Sequence, residues 1–320
     1  RRDYLTRYDN SRILPDALVQ EVLPRLIDAN SPYAIHQGMG DPAVLASITP
    51  AQLDASHDEW VRPEGARIFV VSDLPLAQLQ PGLEAEFGTW EVAGTAPPMP
   101  TRAAPDPAPP QIVLIDRVDS AQTTIAGGQL VEGVTSDDLV SLDLADQVLG
   151  SGFLSRINMN LREDKAYTYG ARCRTSALDG PGIAVCSASV KTAVTGPSLV
   201  EIRKELTEIR GERPITDDEI AYMKSTTVNG YPRRFETPST MLGEQEAIWR
   251  YGLPADWPAT YLDNVTAVTR DQAQAAFEKH WDPNAEVWIV VGDKSVIGDD
   301  LEAFGLPVVE LDVDGNPIGE

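Results

Sequence analysis

The sequence predicts an α+β protein built from one complete and one truncated copy of a single module, each copy a mostly antiparallel sheet covered by helices. Three observations predict this: a repeated helix-to-strand ending, a series of strand patterns upstream of the second ending only, and a proline-dense stretch between the two copies.

The repeat has no gap. Residues 48–73 read ITPAQLDASHDEWVRPEGARIFVVSD, and residues 268–293 read VTRDQAQAAFEKHWDPNAEVWIVVGD. Both begin with a threonine followed three residues later by glutamine (Thr49 and Gln52, Thr269 and Gln272), the reciprocal cap of a helix start. Each then crosses a loop holding Pro63 or Pro283 into an apolar run, 67–71 or 286–291. Those runs predict buried strands that stop at Asp73 and Asp293. Residues 1–47 predict helices and no strand, so the first copy is truncated. Residues 96–110 carry Pro97, Pro98, Pro100, Pro105, Pro107, Pro109 and Pro110 and predict an extended, semi-rigid linker.

The complete copy begins at residue 111. Strands are predicted over 112–117 and 123–130, the second containing Gly127 and Gly128, which mark a bulge or a close backbone approach. A helix follows from an N-cap at Thr135 or Ser136, with Asp137 and Asp138 in its first turn. Leu139, Leu142, Ala145, Val148 and Leu149 form one face, and Gly150 is its stop. Phe153, Leu154, Ile157 and Leu161 give another apolar helical face, with Arg162 in the last turn, where a cation suits the helix dipole. From Tyr167 the pattern alternates as a hairpin of strands 167–178 and 183–191. Ser198 with Glu201 predicts a capped helix bearing Leu199, Ile202, Leu206 and Ile209, ended by Gly211. Thr216 with Glu219 predicts another, bearing Ile220 and Met223, and 238–250 and 258–265 predict two more. Beyond Asp293 a short helix and a turn are expected. The division is therefore 1–95, the closing part of a truncated module; 96–110, the linker; 111–295, the complete module; and 296–320, a tail.

At 320 residues with 42% hydrophobic content, a core is available to every part. The 49 acidic against 26 basic residues give a formal charge of −23, which argues against nucleic acid or an anionic membrane as partner, since both need a basic face. No apolar run approaches the ~20 residues that span a bilayer, and the opening RRDYLTRYDN is too polar for the core of a signal peptide. Cys173 and Cys186 face each other if the hairpin is centred between Asp179 and Gly180. A cross-strand disulfide in an oxidising compartment and two separate buried thiols both fit, the second being the plainer reading.

Patterns of catalysis are sparse. His36, His57 and His280 belong to no H-x-x-E-H or H-E-x-x-H pair, and His57 with Asp58 and Glu59 reads as a solvated helix end. There is no G-x-S-x-G elbow, P-loop or dinucleotide fingerprint, and two cysteines do not complete a zinc site. The acidic pairs at 137–138, 217–218 and 299–300 fall at helix starts, where the dipole accounts for them. Arg162 and Tyr169 remain. A guanidinium closing a helix and a phenol opening a strand are able to donate hydrogen bonds to one oxygen, but on the pair alone the plainer reading is a helix-end charge and an ordinary half-buried strand aromatic.

The run FLSRINMNLREDKAYTYGA follows a helix with a glycine stop and precedes a hairpin, several helices and a final PNAEVWIVVGD strand. This arrangement resembles the pitrilysin/insulinase family of zinc metallopeptidases over about 112–293, and the truncated copy resembles the end of the preceding domain. The resemblance implies a clamshell of four similar domains, as one chain or two, in which an H-x-x-E-H half holds zinc. The opposite half supplies an arginine and a tyrosine, here Arg162 and Tyr169, as donors to the oxyanion. Tyr167, where the family often has Gly-Leu before the tyrosine segment, is a second phenol, expected to serve packing. On this basis no cofactor belongs to this chain, zinc belongs to the complementary half, and the chain alone is inactive. Its partners are that half, in the same polypeptide or a separate subunit, and peptide substrates. A periplasmic or secreted location is expected, with the cytoplasm as the other option. The other reading is a non-catalytic binding or assembly subunit that retains the fold; an independent metalloenzyme using His57 is remote.

Overall fold

A computed structural model describes residues 1–31, 41–98, 103–132, 134, 136–176 and 181–318. His36, the N-cap at Thr135, the hairpin tip at 177–180 and residues 99–102 of the linker lie outside the described residues, as do the side chains of Ser136 and Asp137. The N-terminal part holds α1 (Arg2–Ser11), α2 (Pro15–Ile27), α3 (Pro42–Ser47), α4 (Pro50–Trp60) and α5 (Leu76–Phe87). Strands β1 (Ile112–Asp116) and β2 (Gln122–Val131) lead into α6 (Ser136–Asp146) and a short α7 (Arg156–Asn158). The hairpin β3 (Thr168–Ser176) and β4 (Gly182–Lys191) follows, then α8 (Thr195–Glu208), α9 (Asp217–Gly230), α10 (Pro238–Arg250), α11 (Trp257–Ala267) and α12 (Arg270–His280). The described chain ends with β5 (Val287–Gly292), α13 (Lys294–Ala303) and β6 (Val308–Leu311).

The strands form one six-stranded mixed sheet in the order β3-β4-β2-β5-β1-β6. β2, β3, β4 and β5 pair antiparallel, while β1 runs parallel to both β5 and β6. One face is buried under α6, α8, α9, α11 and α12 by a core that includes Leu144, Leu149, Ile157, Leu161, Phe277 and Trp288. The other face is covered over β1, β2 and β5 by α2, whose Leu18, Val19, Val22, Leu23 and Ile27 pack on Val113, Ile115, Ile289 and Val291. An N-terminal helix thus closes the core of the unit that begins at residue 111. Gly127 and Gly128 are a close approach on both faces. A Cβ at Gly127 would stand 2.8 Å from the Trp288 ring, and one at Gly128 2.7 Å from Ile27 Cδ1.

Three expected features differ. Residues 67–71 are not a strand: Ile68 and Val70 are exposed, and the segment leans on Trp249 through Phe69, with ring centroids 6.2 Å apart. An apolar run becomes a strand only when neighbours complete its ladder, and none of the described residues does so here. The tail holds the expected short helix, α13, but adds the sheet-edge strand β6, which was not expected. The caps at Thr49, Thr216 and Thr269 are as expected. α8, however, begins a turn early at Thr195, leaving Ser198 inside the helix with its hydroxyl donating to the Val194 carbonyl at 2.7 Å.

Candidate active-site half

Arg162 lies in a wide helical turn, Met159–Asp164, that continues α7 and closes with i→i+5 hydrogen bonding, Lys165 N to Asn160 O at 3.1 Å. Such turns recur at functional sites because the extra residue rotates the side chains that follow it. Ala166, at φ +53°, then reverses the chain into β3. The expected helix was longer: Phe153 and Leu154 precede α7 and are exposed, while only Ile157 and Leu161 of the predicted face are buried. Exposed Phe153 serves instead as a platform, with the Arg162 guanidinium 4.7 Å above its ring. Nε of Arg162 faces Glu163 at 3.3 Å, and the side chain stays 39% accessible.

Tyr169 is 87% exposed, which a half-buried strand aromatic would not be. A β-bulge causes this. Thr168 pairs with Val190 and Ala171 with Ala188, so Tyr169 and Gly170 together oppose the single residue Ser189. Thr168 pins the bulge: its hydroxyl donates to the Ser189 carbonyl at 2.6 Å and accepts from the Gly170 amide at 3.1 Å. A bulge re-aims a side chain, here that of Tyr169. Tyr167 is partly buried against the main core, as expected of a packing residue.

No hydrogen bond or ring contact joins Arg162 to Tyr169; a scaffold holds both. Asn158 Nδ2 donates to the Phe153 carbonyl at 2.6 Å, and the Ala171 amide donates to Asn158 Oδ1 at 3.4 Å, tying the helix to the strand just past the bulge. Asn160 Nδ2 donates to Glu205 at 2.7 Å and Glu201 at 2.9 Å, and Arg156 grips Glu219 with two bonds of 2.6 and 2.7 Å. Burial alone would raise Glu219, but its hydrogen bonds with Arg156 and Thr216 hold it below the usual carboxylate range. Gly150, expected as a helix stop, instead lets the preceding turn sit against β3, since a Cβ there would meet the Cys173 amide nitrogen. Ser151 Oγ then donates to the Cys173 carbonyl at 2.8 Å. These second-layer residues carry no catalytic motif; the polar run R-I-N-M-N between buried apolar positions was their signal in the sequence.

Beside Phe153 opens a cleft of about 530 Å³ lined by Asp143, Tyr222, Met223, Tyr231 and Arg234. Arg234 pairs with Glu244 at 2.9 Å, and burial pushes the Asp143 carboxyl up. Cys173 and Cys186 are directly opposed in the β3–β4 register and form a buried disulfide, not the two separate thiols of the plainer reading. His57 is exposed beside Asp58, and His280 is buried beside Asp138 at 3.3 Å. Among the described residues no three histidine, cysteine or carboxylate side chains gather as a metal site.

The chain belongs to the peptidase M16 family: the model of the peptidase M16 inactive domain matches residues 47–227, more than half its length and both Arg162 and Tyr169. No curated protein matches. Among solved structures, a peptidase M16 inactive domain from Pseudomonas fluorescens superposes with a TM-score of 0.82 at 22% identity, over 91% of this chain and 68% of that one. The first half of the periplasmic protease PqqL from Escherichia coli gives 0.72 at 13%, over 95% and 68%. A chain of complex III2 from Candida albicans gives 0.77 at 11%, over 95% and 73%. At these identities the likeness is one of fold.

Proposed function

We propose that this chain is the zinc-free half of an M16 peptidase and supplies substrate-binding wall and oxyanion donors to peptide hydrolysis by an H-x-x-E-H half located elsewhere. The observation that carries the reading is Tyr169: a bulge pins an exposed phenol on the same anchored segment as Arg162, in a chain of the inactive-domain family. Hydrolysis of a peptide bond builds negative charge on the carbonyl oxygen in the transition state. A neutral phenol and a permanently charged guanidinium both donate to such an oxygen, and one preplaced donor is typically worth about 3–4 kcal/mol. Zinc supplies the nucleophile in the other half, and this chain positions donors and peptide. The unpaired segment 67–71 supports reading that part of 1–95 as the closing part of a second module, whereas α2 packs on the sheet of the unit that begins at residue 111. The disulfide supports an oxidising compartment, periplasmic or secreted.

The test is reconstitution with the H-x-x-E-H half. Arg162→Ala and Tyr169→Phe are expected to lower kcat by about ten- to a thousandfold with melting unchanged. Full activity in both removes the proposed roles. The likeness to a chain of complex III2 favours a second reading, a non-catalytic assembly subunit. A stable partner complex whose peptidase activity ignores both substitutions would select it.

A further inference from the structure

The open half of the sheet carries charge that nothing described on it satisfies. α2 covers β1, β2 and β5 and its cluster reaches Ile183 and Val185 of β4, which leaves the outward face of β3 exposed at the sheet edge. Along β3, Ala171 and Cys173 point into the core, while Arg172 and Arg174 point out and are exposed. Tyr169 and Gly170 oppose Ser189, which lies between inward-facing Val190 and Ala188, so the bulge sets Tyr169 on that same outward face. Neither Arg172 nor Arg174 has an ion pair or side-chain hydrogen bond among the described residues, in a chain whose 49 acidic residues outnumber its 26 basic ones. By contrast Arg156, Arg213 and Arg234 each hold a glutamate. Two residues apart on one strand face, the arginines stand ~7 Å apart along the chain, with their like charges unrelieved. Asp16 of α2 marks the far border of the face, where its carboxylate accepts from Thr124 at 3.3 Å.

We propose that this strip binds a peptide substrate through carboxylates at alternate positions, so that Arg172 and Arg174 select acidic segments next to the site of Tyr169. The proposal rests on the peptidase reading and adds its substrate class. An extended peptide repeats its side chains on one side at the same spacing as β3, and a guanidinium grips a carboxylate with two parallel bonds. The peptide lies across the face and does not extend the sheet, because the free edge of β3 is already occupied. The Ala171 amide is held by Asn158, the Cys173 carbonyl by Ser151 and the Thr175 amide by Asp146.

The test reads binding without hydrolysis, using the full chain and a short fluorescent peptide with glutamate at alternate positions, beside its glutamine counterpart. At about 0.15 M salt, where distant charges are screened, the glutamate peptide is expected to bind at least about tenfold more tightly. Arg172→Ala/Arg174→Ala is expected to abolish that preference with melting unchanged, and Arg172→Lys/Arg174→Lys to keep part of it. Equal binding of the two peptides, or a preference that survives the double alanine variant, overturns the proposal. Arg162→Ala is expected to leave the preference intact, so failure of the oxyanion role and failure of the acidic strip are separate results.

Discussion

Asn158 shows how much of the site depends on one amide. It is 5% exposed, sits in a three-residue helix, and satisfies a carbonyl on one side and a strand amide on the other. Removing it orphans both backbone groups, and a buried unsatisfied group costs about 1–3 kcal/mol. Asn158→Ala is expected to lower stability by an amount in that range, measured by the denaturant midpoint, and to speed hydrogen exchange at the Ala171 amide. Asn158→Asp keeps the acceptor for Ala171 and loses the donor to Phe153, so it should preserve the Ala171 protection while still costing stability. An unchanged midpoint and unchanged exchange in Asn158→Ala would show that the two elements are held together some other way.

Among the elements, β3 with the turns packed along its edge was the hardest part to read from sequence. Alternation announces Ala171, Arg172, Cys173 and Arg174 correctly, but it places Tyr169 on the face of Ala171, because period two has no way to signal one inserted residue. The helix before it is misjudged for a related reason. Phe153, Leu154, Ile157 and Leu161 satisfy a 3.6 period, yet Gly150 draws the preceding turn onto β3 and α7 starts only at Arg156. Strand order was not legible at all, since β6 comes from a tail of ordinary composition and α2 from a segment separated from its sheet by the linker. What was legible rested on local chemistry: threonine caps, the strand Val287–Gly292 and the helix Pro238–Arg250; Arg162 and Tyr169 were singled out only by the family resemblance. Gly150→Ala tests the edge contact. It is expected to cost about 1–3 kcal/mol through overpacking and to lower activity of the reconstituted enzyme. Gly211→Ala, where a Cβ meets nothing within 4 Å, is the control.

At the scale of the whole molecule, two buried carboxyls set how stability follows pH. Glu286 is 1% exposed with neither oxygen hydrogen-bonded, and burial pushes its carboxyl up to about 8 despite the nearby Arg203 charge. Burial likewise raises Asp146 to about 7, although Trp281 and the Thr175 amide donate to it. In both cases the folded protein holds a proton that the unfolded chain releases near the ordinary carboxylate value. Their contribution is therefore intact at acid pH, and stability falls as pH rises toward 7 for Asp146 and 8 for Glu286, by about 1.4 kcal/mol per pH unit for each group. Repulsion among the charges of a −23 chain grows as pH rises and lowers stability in the same direction, so the slope alone does not identify its source. Glu286→Gln does: it removes one titrating group, keeps the shape, and leaves the net charge of the folded state at pH 6 unchanged. The variant is expected to match the parent near pH 4.5 and to exceed it progressively up to pH 8 in denaturant midpoint. A variant whose profile runs parallel to the parent's across that range would mean that Glu286 is ionised in the fold and that Arg203 compensates it.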